Sequence, residues 1–90
     1  MEKHTFEITE KIEVTFPHFR KYEFFYYKVL TPTKELRMRY YDTEFDSFAS
    51  IEYMDIIFGN TFIKCSYEIT EEEFNETMAR AYRLILNKNN

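Results

Sequence analysis

Tyr22-Glu23-Phe24-Phe25-Tyr26-Tyr27-Lys28-Val29-Leu30, followed by Thr31-Pro32-Thr33-Lys34 and then by Leu36-Arg37-Met38-Arg39-Tyr40, is the stretch that decides the fold of this 90-residue chain. Its first part is aromatic or β-branched almost throughout, a composition suited to a central strand covered on both faces. Pro32 stands where a type I or II turn favours proline, and the last part alternates apolar with basic residues at period two. Two strands joined by a tight turn are therefore expected at the heart of an antiparallel sheet.

Toward the N-terminus the apolar residues Phe6, Ile8, Ile12, Val14 and Phe16 keep even positions, which is again strand periodicity. Glu10 breaks the pattern, so a turn at Thr9-Glu10-Lys11 between two short strands is preferred over one irregular edge strand. Pro17, which has no backbone donor, closes this segment in a turn with His18. Toward the C-terminus, Asp42 to Ser50 is polar enough for a loop; whether Asp46 or Ser47 instead caps a helical turn through Phe48 and Ile51 is left open by the sequence. Met54–Phe58 and Thr61–Ile69 flank Gly59-Asn60, which reads as a further hairpin.

Thr70-Glu71-Glu72-Glu73 is a capping box, with three carboxylates at the positive end of a helix. Behind it Phe74, Met78, Ala81, Tyr82 and Ile85 recur at steps of three and four, an apolar stripe made for the sheet. The expected architecture is α+β: one domain over residues 1–90, with an antiparallel sheet of about five or six strands within 4–69. A single C-terminal amphipathic helix, about 71–87, covers one of its faces.

Ten Phe and eight Tyr give this domain an aromatic core. Phe, Tyr, Ile, Lys and Asn share AT-rich codons, so the count alone does not establish a binding surface. Cys65 is the sole cysteine, which rules out an intramolecular disulfide and favours a reducing compartment. Met1 to Glu7 holds no apolar run suited to a signal peptide, and no stretch approaches the roughly 18 apolar residues that span a bilayer. A cytoplasmic protein with no membrane partner is expected.

Motifs for chemistry are missing. With Gly59 as the only glycine, no phosphate-cradling loop can be built. His4 and His18 lack ligand-like spacing to Cys or acidic residues. Asp42, Glu44 and Asp46 alternate as calcium ligands do, but Ser47 and Tyr53 stand where an EF-hand needs glycine and glutamate. Cys65 falls on the Ile63, Cys65, Tyr67, Ile69 face of an expected strand, opposite Lys64, and reads as a small core hydrophobe rather than a nucleophile. No catalytic, cofactor-binding or metal-binding residue is assigned, and a non-enzymatic protein is expected.

Charge is unevenly spread. Residues 18–41 hold six basic residues, Arg20, Lys21, Lys28, Lys34, Arg37 and Arg39, against Glu23 and Glu35, a balance of plus four; the remainder has six basic against fourteen acidic, minus eight. One helix covers one face of a sheet, so the rings of the other face call for a curled sheet, a second copy or a partner. The leading expectation is an interaction module, a homodimer or the binder of another protein, using Tyr22, Tyr26, Tyr27, Lys28, Arg37, Arg39 and Tyr41. The alternative is single-stranded nucleic-acid binding by the basic and aromatic segment 20–41. The net charge of −4 repels polyanions, and the glycine-containing signature of RNA-recognition sheets is absent. An acidic surface from Glu71, Glu72, Glu73, Glu76 and the Asp42–Asp46 loop is a third option, although glutamates at a helix start already have a structural role.

Overall fold

Period-two patterning produces, in the computed structural model, seven strands and two helices among the described residues, 3–7 and 11–88. They are β1 (Lys3–Glu7), β2 (Lys11–Thr15), β3 (His18–Tyr22), β4 (Phe25–Thr31), β5 (Lys34–Asp42), β6 (Ser47–Asp55), α1 (Asn60–Cys65), β7 (Tyr67–Glu68) and α2 (Glu71–Lys88). β3 to β6 form an antiparallel meander, and β7 returns to lie beside β3, giving the order β6-β5-β4-β3-β7. This five-stranded antiparallel sheet with its C-terminal helix is an α+β arrangement. β1 and β2 pair with each other as a separate two-stranded sheet, with Phe6 opposite Ile12. The preferred turn between them, at Thr9-Glu10, lies outside the described residues.

The hairpin at Pro32 forms as expected: Thr31 pairs with Lys34, and the register shifts once between Val29 and Thr31. The run from Tyr22 to Leu30 is not one strand. A two-residue turn at Glu23-Phe24 splits it, with Glu23 at φ 52°, and Tyr22 pairs with Phe25 across the turn. Glycine or asparagine usually takes that left-handed conformation, so no local signal marks the turn.

Asp42–Ser50 also divides differently. Thr43–Asp46 is a tight turn in which the Thr43 N–H and hydroxyl both donate to the Asp46 carbonyl at 2.8 Å, and a nine-residue strand begins at Ser47. Asp46 caps no helix; its carboxylate accepts from the Ser47 N–H and the Tyr41 hydroxyl.

The hairpin expected at Gly59-Asn60 is overturned: α1 occupies Asn60–Cys65. Gly59 has extended backbone, φ −168° and ψ −157°, and serves as the N-terminal cap position, its carbonyl accepting from the Ile63 N–H at 3.0 Å. On a helix Cys65 no longer shares a face with Ile63, and it is exposed rather than in the core. Tertiary contacts hold α1: Arg20 donates to its C-terminal end, and Phe58, Phe62 and Ile63 pack in one cluster.

The capping hydroxyl of Thr70 accepts from the Glu73 N–H at 3.0 Å and starts α2 as the sequence predicts. Phe74 and Ala81 are fully buried, with Met78 packed beside them. Thr77 joins them in the stripe, its hydroxyl donating to the Glu73 carbonyl, while Tyr82 falls on its margin and is half exposed. α2 starts beside β7 and packs most closely on β6, meeting Phe19, Tyr26 and Met38 in one core cluster. A second cluster, Val14, Phe16, Val29, Phe58 and Ile63, lies on the other face, where the N-terminal hairpin and α1 cover one end of the sheet. Part of the face that seemed to need an outside cover is therefore covered by the chain itself.

Candidate interaction surface

Alternation along the strands separates the expected surface residues. Tyr26 is 9% exposed in the α2 core, and Lys28 shares its face, with its ammonium 5.8 Å from the Phe19 ring. Tyr22, Tyr27, Arg37, Arg39 and Tyr41 occupy the opposite face, as the pairs Tyr27–Arg37, Phe25–Arg39 and Tyr41–Phe48 show. Five of the seven are thus brought together and two are not.

Two residues that sequence reasoning passed over complete the field. The Arg39 guanidinium lies 4.7 Å from the ring centre of Phe48 and 5.7 Å from that of Phe25. Phe25 stacks on Tyr27 at 6.3 Å with planes 6° apart, Phe48 stacks on Tyr41 at 5.9 Å, and the Arg37 guanidinium lies 5.5 Å from Tyr27. Phe25 was legible from its two-residue spacing to Tyr27. Phe48 was not, because its segment read as loop. Each exposed cation–π contact contributes about 0.5–1 kcal/mol and holds a guanidinium flat on a ring.

The basic segment is mostly committed elsewhere. Arg20 is 8% exposed: its Nε donates to Ser66 Oγ at 2.6 Å, and one terminal nitrogen donates to the carbonyls of Ile63 at 3.2 Å and Ser66 at 2.7 Å. Ser66 Oγ in turn donates to the Phe62 carbonyl, so in the last turn of α1 the Phe62 carbonyl is satisfied by Ser66 and the Ile63 carbonyl by Arg20 of β3. Lys34 pairs with Asp55. Arg37 Nε donates at 2.6 Å to Oε2 of Glu35, a fully buried carboxylate whose other oxygen has no hydrogen-bond partner among the described residues. Burial pushes the Glu35 carboxyl above its ordinary value, against the pull of Arg37. Arg39 has no carboxylate partner among the described residues, which leaves it the free cation of the open face.

His18 sits beside Arg20, its Nε2 at 3.2 Å from an Arg20 terminal nitrogen and its ring edge-on to Phe58. Arginine has no acceptor, so Nε2 accepts and the proton is on Nδ1, which is 3.8 Å from Glu68 Oε2. This end of the sheet borders a cleft of about 670 Å³ shared with Glu13, Glu71 and Glu73. Burial lowers the His18 pKa, Glu68 raises it, and Arg20 adds to the lowering. A depressed histidine stabilises the fold above its unfolded pKa and loses that contribution as pH falls from about 6.5 through the folded value. Unfolding free energy is expected to decline between pH 7.5 and pH 5.5, and His18→Gln is expected to flatten that slope. An equal slope in both proteins, measured by urea denaturation, would rule His18 out as its source.

No protein-family model, curated protein or solved structure matches this chain. Among the described residues no helix is long and apolar enough to cross a membrane.

Proposed function

We propose that this chain is a non-enzymatic protein-interaction module that self-associates through the open half of its sheet. The observation that carries the reading is Arg39, stacked between Phe25 and Phe48 and without a carboxylate partner among the described residues. Arginine and aromatic rings held rigidly together are the composition of interface hot spots, because little conformational freedom remains to be lost on association. Nucleic-acid binding is less favoured by the same geometry. Phosphates need several free cations, and of the six basic residues in 18–41 one is buried under α1, two lie on the α2 face, and two are paired with carboxylates.

The test is the native mass by light scattering across protein concentration, in low and high salt. Wild type is expected to form a discrete oligomer far less sensitive to salt than phosphate-driven binding, and the Arg39→Ala/Phe48→Ala double variant to dissociate at least tenfold more readily while still unfolding cooperatively. A strict monomer would overturn the reading, and salt-steep binding to single-stranded RNA by that monomer would favour the alternative.

A further inference from the structure

The two edges of the five-stranded sheet are built differently. On one side the edge is β7, two residues long; on the other it is β6, nine residues long, paired with β5 in unbroken register. Proteins shield exposed edges with short strands, bulges, proline or lysine, and β6 has none of these. No residue of β6 is fully buried, although α2 packs on it.

Resting on the self-association proposed above, we infer that the occupant of this edge is β6 of a second copy, paired antiparallel about a two-fold axis at Ile51. Ile51 is the midpoint of Ser47–Asp55, so this register engages all nine residues. It sets Ser47 opposite Asp55, Phe48 opposite Met54, Ala49 opposite Tyr53 and Ser50 opposite Glu52. No like charges meet, whereas centring one residue further would set Glu52 against itself. The helices are also offset. Arg80, Arg83 and Leu84 in the C-terminal half of α2 lie near Tyr40 and Asp42, beside the Ala49 end of β6, whereas Tyr53 at the far end is 78% exposed. Pairing brings each open Tyr53 beside the helix-covered Ala49 of the second copy.

Charge chooses this geometry over a face-to-face stack. Face to face, two fields centred on Arg39 would meet with like charges. Edge to edge, Arg39, which leans over β6 onto Phe48, stands next to Ser50, and across that small residue is Glu52 of the second copy. Arg39 and Glu52 have no ion-pair partner among the described residues, and pairing about the axis supplies both, twice.

The experiment is a charge exchange read by sedimentation equilibrium on the whole chain, with thermal unfolding as a check that each variant folds. Wild type is expected near twice 11.2 kDa. Glu52→Lys and Arg39→Glu are each expected to weaken the dimer on the order of tenfold, and the combined variant to regain wild-type affinity. Because Glu52 also stands opposite Arg37 within its own chain, the rescue carries the test, not the single losses. A dimer indifferent to both substitutions, or not rescued by their combination, would overturn the edge geometry and leave self-association through another part of the face. A strict monomer would overturn both.

Discussion

Arg20→Met is expected to destabilise the protein by about 3–4 kcal/mol, because the carbonyls of Ile63 and Ser66 lose their donor and each buried unsatisfied group costs about 1–3 kcal/mol. Methionine keeps much of the side-chain volume, so the loss reports hydrogen bonding rather than a cavity. The effect is local in origin. α1 is six residues long, too short to persist by itself, and Arg20 of β3 donates to its C-terminal end. Amide hydrogen exchange is expected to lose its protection in 60–66 before the central strands. Arg20→Lys is expected to recover little, since an ammonium cannot reproduce a fork that reaches Ser66 Oγ, two carbonyls and His18 together. Wild-type protection of α1 in Arg20→Met would show that packing of Phe58, Phe62 and Ile63 suffices to hold the helix.

Phe74→Ala is the second large effect. Phe74 has no exposed surface, and its ring centre lies 5.5 Å from that of Phe19, where α2 meets the sheet. Removing the ring forfeits its burial and opens a cavity between two layers that cannot collapse independently. The expected loss is about 3–5 kcal/mol. In a domain of this size that lowers Tm by on the order of 15–25 °C, enough to leave a substantial unfolded fraction if the total lies near the lower end of the usual 5–15 kcal/mol. Phe74→Leu is expected to lose less because it refills part of the space. A Tm within a few degrees of wild type for Phe74→Ala, by differential scanning calorimetry, would contradict this account of the core.

These two residues mark how far local pattern reaches. Phe74 was legible at once: a capping box placed the start of α2, and its three- and four-residue steps placed its inner face, because both signals act within a few residues of chain. Arg20 was legible only as one member of a basic segment. Its partners are 43 and 46 positions away, and nothing near it distinguishes a buried helix clamp from a surface cation.

The same division runs through the candidate surface. Alternation placed Arg37 and Arg39 on one face, whereas only the register of β4 on β5 sets Tyr27 beside them and turns Tyr26 and Lys28 away; assigning the run 22–30 to a single strand hides the Glu23-Phe24 turn, and a loop or capped helical turn over 42–50 hides Phe48. The Glu23-Phe24 turn uses neither glycine nor asparagine, and β6 opens on Ser47 in a segment whose polar residues match a loop in composition.

By itself the sequence determined the α+β class, the Pro32 hairpin, the start and inner face of α2 and the split of charge between segments, since each follows from periodicity or from contacts short in sequence. Tertiary structure alone decided that Asn60–Cys65 is a helix, that the chain covers part of the second face, and that Arg39 has no carboxylate partner among the described residues while Arg20, Lys34 and Arg37 are spent on partners. Those outcomes depend on which distant groups meet, and hydrogen-bond satisfaction and burial are settled only when they do.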